Sequence, residues 1–413
     1  MGSPTVVVVG AGQAGSDTAA ALRSQGFAGR IVLVGDEDAL PYRKPLLSKE
    51  YLVGDPEGED TALRPASFYA GQGIELRTGD PAVRIDREGR RLVLASGEEL
   101  GYDHLVLATG ARPRRLSVPG AELDGVLALR TLADARTLRT ALAGTGDLLV
   151  VGGGFIGLEV AAAARASGVR VTVVETRDRL MGRSVSAPTA RYLAEQHTAH
   201  GVRLLLSEEL TALHGEEGRV RVAELGRGER IRADLVVAGV GVLPNTALAA
   251  DAGLEVGDGI LVDPRLRTAD PRIHAIGDCA RFPSRHAPRH LRLESVQNAA
   301  DQARSVAAAI HAPADPPPYD AVPWFWTRQY GARLQIAGIT DGHDRTVTVG
   351  DPAGGRFSVF CFRDGLLLGT ESVNRPADHM ITRRLLATGD RSLTPEAVAA
   401  PGFDLKHRQP QPA

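Results

Sequence analysis

Two stretches of the chain carry the same succession of apolar and polar positions. Residues 5–37, TVVVVGAGQAGSDTAAALRSQGFAGRIVLVGDE, open on a β-branched run from Val6 to Val9. They pass through Gly10-x-Gly12-x-x-Gly15 into an Ala-rich helical stretch and close on a second apolar run, Ile31 to Val34, followed by Asp36 and Glu37. Residues 147–175, DLLVVGGGFIGLEVAAAARASGVRVTVVE, repeat the order: Gly152-x-Gly154-x-x-Gly157, a helical stretch, a strand over 169–174, then Glu175. The first glycines of the two are 142 residues apart. The pattern predicts strand, glycine turn, helix and strand, twice, with an acid at the end of each second strand. YDHLVLATGARP (102–113) and ADLVVAGVGVLPN (233–245) form another repeated pair, each an apolar strand running into a glycine-containing turn.

The last quarter of the chain reads differently. The segment 311–320, HAPADPPPYD, has Pro at 313 and at 316–318 and marks a boundary. After Pro323 comes WFWTRQYG, which has no helix signal and predicts a strand. A period of two puts Trp324, Trp326, Arg328 and Tyr330 on one face and Phe325, Thr327 and Gln329 on the other. RFSVFCFRDGLLLGTESV adds short apolar strands, 376–388 reads as a helix, and the tail KHRQPQPA is expected to be disordered.

The fold class is therefore α/β: two Rossmann-like dinucleotide-binding domains, the second inserted in the first, followed by an α+β C-terminal domain. A first dinucleotide-binding domain is expected over 1–110 and 244–318, a second over 111–243 and the C-terminal domain over 319–413. The 102–113 and 233–245 segments are the crossing points.

Composition narrows the function. With 43% apolar and 24% charged residues the 413-residue chain reads as globular, and its formal net charge of −2 argues against nucleic acid as a partner. The longest apolar stretch, 148–158, is too short to span a bilayer, and no charged-then-apolar leader opens the chain. A cytoplasmic protein is expected, without a membrane partner, as monomer or homodimer. Cys279 and Cys361 are the only cysteines and form no CxxC or CxxxxC pair, so no metal site and no redox dithiol is expected. Of 48 lysine and arginine residues only Lys44, Lys49 and Lys406 are lysines, and two of them fall within YRKPLLSK. Genome base composition accounts for such an arginine excess; the alternative reading is that a lysine kept in so arginine-rich a chain holds a position that needs a compact ammonium.

The glycine patterns carry the chemistry. The first glycine allows the tight turn, the second lets a pyrophosphate approach the backbone, and the third packs helix on strand. The helix start then offers N–H groups and a positive dipole to the phosphates. The terminal acid accepts hydrogen bonds from the adenosine ribose. Two such cradles imply two dinucleotides or an internal duplication. A flavin in one and a nicotinamide in the other, with hydride passing between them, is the economical reading. AIGDCA (275–280) suggests the flavin in the first, with Asp278 against ribityl hydroxyls or a phosphate, although taken alone Asp278 reads as a turn residue.

These features together resemble the FAD-dependent NAD(P)H:ferredoxin reductases that serve cytochromes P450 and aromatic-ring dioxygenases, a group of two-dinucleotide flavoproteins with a glutathione-reductase-like fold. The matching pieces are VVGAGQAG, VGDEDALPYRKPLLSK, ATGARPR, VVGGGFIGLEVAA, GVGVLPNTALA, IHAIGDCA, LESVQNAADQA and PWFWTRQY, spanning 6 to about 330 in order. The resemblance implies FAD in the first cradle, on Gly10, Gly12 and Gly15, with Asp36 on the adenosine ribose and Glu37 beside it. It further implies Lys44, Pro45, Ala108, Thr109, Gly110 and Arg112 along the FAD, and Val83 meeting the adenine through its backbone. Asp278 would meet the ribityl–phosphate portion, and Val296 would turn its backbone N–H to the isoalloxazine. In the second cradle Gly152, Gly154, Phe155, Ile156, Gly157 and Gly241 would take NAD. Lys49 and Glu159 would meet beside flavin and nicotinamide as the catalytic pair, with Trp326 close to the flavin ring where a [2Fe-2S] ferredoxin docks.

Three places depart from that pattern. Lys44-Pro45-Leu46-Leu47 stands where Arg-Pro-Pro is common, Arg328 stands where an acid is usual, and 280–295 is unusually basic. No cysteine precedes Cys279, so no dithiol relays electrons from the flavin, and an outside one-electron carrier is the expected acceptor. Glu175 favours NADH by repelling a 2′-phosphate, although Arg177, Arg179 and Arg183 keep NADPH as the alternative. An NAD(P)H oxidase, a reductase of a small acceptor such as a quinone, and a redox-sensing interaction flavoprotein are the competing functions.

Overall fold

A computed structural model describes residues 3–54, 61–311 and 316–407. Residues 312–315 of the expected linker, and 408–413 of the expected disordered tail, lie outside the described residues. The chain forms two units. The first gathers Met1–Arg43, Asp60–Arg112 and Leu243–Ala321; the second gathers Lys44–Glu59, Pro113–Val242 and Val322–Ala413.

In the first unit the Val6–Val9 run is the centre of a five-stranded parallel sheet. The order is Ile273–Ala275, His104–Leu107, Thr5–Val9, Arg30–Val34, Ile74–Arg77. A strand with neighbours on both sides and covered faces must be apolar throughout, and Val6, Val7 and Val8 are fully buried. The helix Gln13–Ser24 follows Gly12 and packs beside Val296–His311. It closes where Gly26 takes a positive φ of 93°, a conformation that costs glycine little. Two three-stranded sheets also belong to this unit: an antiparallel one, Ala82–Asp86, Arg91–Leu94 and Glu99–Gly101, and a mixed one, Val256–Gly257, Gly259–Leu261 and Ala280–Arg281.

The second unit repeats the plan and adds to it. Its parallel sheet runs Arg203–Leu206, Arg170–Glu175, Asp147–Val151, Leu235–Ala238, Val126–Ala128. The helix Phe155–Ala166 starts at its second cradle, and Leu132–Leu142 begins with a capping box between Thr131 and Asp134. The C-terminal part is a five-stranded antiparallel sheet, Trp324–Gln329, Ala332–Gly338, Leu366–Val373, Arg356–Arg363, Arg345–Asp351. It is covered by the helix Pro376–Thr388, which has Pro at its first turn and closes on Gly389 at φ 71°.

An apolar core links the two five-stranded sheets of this unit. It joins Val150, Leu158 and Val173 of the parallel sheet layer to Leu334, Ile336, Phe357 and Val359 of the antiparallel sheet, and it includes Leu52. A buried polar clamp adds to it. The Glu371 carboxylate accepts from Ser186 N at 2.7 Å and Ser186 Oγ at 2.6 Å, at the start of the helix Ala187–Ala199. That helix has no side-chain cap of its own, and a carboxylate at its N-terminus is favoured by the helix dipole. Burial, then the neighbouring Glu371, push the Cys361 thiol far up, so it packs as an inert apolar group.

Candidate functional site

The two cradles are built alike, atom for atom. Gly10 N donates to Val34 O at 2.8 Å, as Gly152 N does to Val174 O at 2.8 Å. Ala108 N donates to Val9 O at 2.7 Å, as Gly239 N does to Val151 O at 2.7 Å. The glycines are required by contact and by conformation. A Cβ on Gly10 would lie 2.1 Å from Ala108 O, and one on Gly152 would lie 2.5 Å from Gly239 O. A Cβ on Gly15 would lie 1.9 Å from Gly10 O, and one on Gly157 would lie 2.2 Å from Gly152 O. Gly10 and Gly152 also hold φ of 111° and 106°.

The middle glycine differs. A Cβ on Gly12 or Gly154 would meet nothing within 4 Å, so a side chain at either would project into the space over the helix start. Neither helix has a side-chain cap or an acid in its first turn. Open space, backbone donors and a positive dipole fit a pyrophosphate in each cradle. At the ends of the second strands stand Asp36, exposed, Glu37, whose carboxylate accepts from Tyr42 Oη at 2.7 Å, and Glu175.

The remaining residues expected along the FAD lie as follows within the first unit. Val83 is 54% exposed and sits at a register shift between Ala82 and Arg84, so the ladder gives it no partner of its own. Such a bulge frees a backbone group for an outside partner. Ala108 is buried, and Thr109 and Asn245 bond reciprocally, Thr109 Oγ1 to Asn245 O at 2.7 Å and Asn245 Nδ2 to Thr109 O at 2.9 Å. Gly110 has φ 67°, and Arg112 is exposed with Nη1 donating to Asn245 Oδ1 at 3.1 Å. Asp278 is half-buried in a short 3-10 turn fixed by Gly277 N donating to Gln302 Oε1 at 2.7 Å. Val296 is the first residue of its helix, which Ser295 caps by accepting from Asn298 N at 3.0 Å.

In the second cradle Phe155 is half-buried against the core and Ile156 is 43% exposed at the helix start. The Glu175 carboxylate accepts from Gly153 N at 2.8 Å and from Arg177 N at 2.8 Å, which pins a negative charge beside the cradle. The Arg177 and Arg183 side chains are exposed, whereas Arg179 pairs with Asp178 at 3.6 Å. Gly241 is exposed with φ 102°.

Lys49 and Glu159 meet in the second unit. Lys49 Nζ lies 2.7 Å from Glu159 Oε2, with the side chains 12% and 4% exposed. Lys49 immediately precedes the short helix Glu50–Val53, and Glu159 is on the first turns of Phe155–Ala166. The ammonium also donates to Pro45 O at 3.0 Å and lies 5.0 Å from the centre of the Trp326 ring, a cation–π distance. Lys44 Nζ is 3.4 Å from Arg130 O. Trp326 is on the strand Trp324–Gln329 with 37% of its surface exposed, and Arg328 beside it is exposed too, while Thr327 and Gln329 face inward. Tyr330 lies past the end of that strand, in a turn at φ 48°.

Two further side chains complete the pair. Ser48 Oγ donates to Glu159 Oε2 at 2.5 Å and Thr327 Oγ1 donates to Glu159 Oε1 at 2.7 Å. Both are buried. The sequence reading passed over them, although Ser48 adjoins Lys49 and Thr327 adjoins Trp326 on the opposite face of its strand. Among the described residues this carboxylate therefore has three donors, one of them charged, and an ammonium fixed in this way is held at one point rather than sweeping a surface.

Known proteins resemble this chain over nearly its whole length. Residues 4–303 match the pyridine nucleotide-disulphide oxidoreductase family and residues 324–408 match the reductase C-terminal domain. Rhodocoxin reductase of Rhodococcus erythropolis is 50% identical over 97% of this chain and 93% of its own length. The crystal structure of the ferredoxin reductase for the CYP199A2 system of Rhodopseudomonas palustris superposes with a TM-score of 0.93 at 48% identity, over 97% of this chain and 98% of that one. The putidaredoxin reductase of the covalent putidaredoxin reductase–putidaredoxin complex superposes with a TM-score of 0.93 at 38% identity, over 98% of each chain. The protein belongs to the pyridine nucleotide-disulphide oxidoreductase family, in the branch of FAD- and NAD(P)H-dependent oxidoreductases that carries the reductase C-terminal domain.

Proposed function

We propose that this protein is an NADH:ferredoxin reductase that feeds a [2Fe-2S] ferredoxin serving a P450 or ring-hydroxylating oxygenase. The observation that carries the reading is the buried Lys49–Glu159 pair beside Trp326, on the helix that rises from the second cradle. In this reading the domains divide at about 110, 243 and 318, with FAD on the first cradle and NADH on the second. When bound, the flavin accepts a hydride and can give its electrons up singly. The chain supplies the rest. The glycine turns hold the pyrophosphates. Lys49 supplies a fixed positive charge that favours the electron-rich form of the ring, and Glu159 keeps that charge in place. Trp326 offers an exposed indole to the acceptor. The pinned Glu175 carboxylate accepts from a ribose 2′-hydroxyl and repels a 2′-phosphate, which favours NADH.

Ferredoxin as acceptor is supported by the names of the relatives: a ferredoxin reductase for a P450 system, and a reductase captured with putidaredoxin. No helix of the described residues is long and apolar enough to cross a membrane. The exposed Arg328 favours one other reading, a small acceptor such as oxygen or a quinone, because it changes the surface next to Trp326. An NADH-driven cytochrome c assay separates the two. Reduction that depends on added [2Fe-2S] ferredoxin supports the proposal; equal rates with and without it overturn it.

A further inference from the structure

A line of buried polar side chains leads away from Glu159. Gln329 Nε2 donates to Thr327 Oγ1 at 3.1 Å, His197 Nε2 is 2.9 Å from Gln329 Oε1, and Tyr330 Oη is 3.4 Å from His197 Nδ1. Thr327, Gln329 and His197 are all buried, and the Tyr330 ring is stacked on His200 at 3.8 Å. Thr327 and Gln329 on the strand, and His197 on the helix Ala187–Ala199, fill buried positions where apolar side chains would pack more cheaply.

The donor directions follow from one end. A carboxylate only accepts, so Thr327 spends its single proton on Glu159 Oε1. Thr327 Oγ1 then accepts, which turns the amide nitrogen of Gln329 towards it and the amide oxygen towards His197. An oxygen there requires the proton on His197 Nε2, and the bare Nδ1 accepts from Tyr330. Burial holds the His197 pKa below its ordinary value, consistent with a single ring proton. Every bond in the line thus points the same way, towards Glu159. Its other oxygen is left to Ser48 and Lys49.

We infer that Thr327, locked by Gln329 and His197, is a positioning residue for the hydride step: it fixes the Glu159 carboxylate so that Oε2 holds the Lys49 ammonium in its working place. The inference rests on the role given to Lys49 and Glu159 above. Without the Thr327 hydroxyl, Oε1 loses its donor, the carboxylate turns about the Oε2 end held by Ser48 and Lys49, and the ammonium loses its fixed point.

The test uses the FAD-loaded protein and four variants, Thr327→Val, Thr327→Ser, Gln329→Leu and Thr327→Val/Gln329→Leu, with Glu159→Gln as control. Anaerobic stopped-flow mixing with NADH gives the rate constant of flavin reduction and the NADH dissociation constant separately. Loss of one hydrogen bond to a charged group is expected to slow Thr327→Val by about tenfold or more, with NADH affinity within about twofold. Thr327→Ser restores the rate. The double variant is no slower than Thr327→Val, because the two residues act in series. A second readout does not depend on turnover: nitrogen NMR of histidine-labelled protein, assigned with His197→Phe, shows the proton of His197 on Nε2. A Nδ1 proton overturns the inference, and so does a Thr327→Val rate equal to wild type or to that of Thr327→Ser. If Glu159→Gln slows the step and Thr327→Val does not, only the inference fails. If Glu159→Gln leaves the step unchanged, the reading of the pair fails and the inference with it. Should Thr327→Val not fold, Gln329→Leu and the tautomer decide alone.

Discussion

Replacing Glu159 by Gln removes one charge from a buried pair and little else. The amide keeps the volume and retains an oxygen that can accept from Ser48 or Thr327. Lys49 is left with Pro45 O at 3.0 Å and the Trp326 ring at 5.0 Å. Breaking one side of a buried pair costs about 3–5 kcal/mol. The cation–π contact and the carbonyl remain, and Lys49 is 12% exposed, so the loss should be at the low end, about 3 kcal/mol. Both tryptophans of the chain belong to the second unit, so tryptophan fluorescence in a urea titration reports the right part of the molecule. Removing the partner charge as well, in Lys49→Met/Glu159→Gln, should return stability to within about 1 kcal/mol of wild type. Flavin reduction by NADH should stay slow in both variants, by about a hundredfold. If Glu159→Gln were as stable as wild type, or the double variant no better than the single, the two groups would not form a buried pair and the electrostatic argument would fall.

Other consequences follow from the same geometry. Gly12→Val should lose FAD while the apoprotein keeps its melting temperature, whereas Gly15→Val, with Gly10 O in the way, should lower it; equal melting curves for the two would count against the cradle geometry. Glu175→Ala should raise the NADPH-to-NADH ratio of kcat/KM by about tenfold, the worth of ~1.4 kcal/mol, and an unchanged ratio would show that another group decides. Trp326→Ala should slow ferredoxin reduction more than flavin reduction by NADH; equal slowing would remove its docking role. Burial lowers the His274 pKa from 6.5 to about 4, helped by the neighbouring His104. The unfolded chain therefore binds its proton first, and the stability His274 contributes is complete above pH 6.5 and is lost as pH falls towards 4. Circular dichroism unfolding of the first unit should show a shallower acid loss in His274→Gln, by up to ~1.4 kcal/mol per pH unit, and parallel curves would refute it.

The cradles were readable because everything that makes them is local. Gly10 to Gly15 and Gly152 to Gly157 each lie within six positions, between a strand and a helix whose patterns are unambiguous. The strand Trp324–Gln329 was readable for the same reason, from Pro323 and an alternation that puts Trp326 outside and Thr327 inside. Its stated face broke down only at Tyr330, where the chain turns at positive φ. What escaped the sequence depends on distant partners. Ser48 and Thr327 reach Glu159 across 111 and 168 positions, and Glu371 reaches Ser186 across 185. A hydroxyl beside a lysine or a tryptophan gives no sign of which carboxylate it will find. The bulge at Val83 was equally hidden, because register belongs to the strand opposite as much as to its own residues.

The most direct measurement is a sequential-mixing stopped-flow experiment: the FAD-loaded protein is reduced anaerobically with one equivalent of NADH, then mixed with either a [2Fe-2S] ferredoxin or air-saturated buffer. The account predicts rapid bleaching on NADH and reoxidation by ferredoxin that far outpaces reoxidation by air; faster reoxidation by air than by any [2Fe-2S] protein would contradict it.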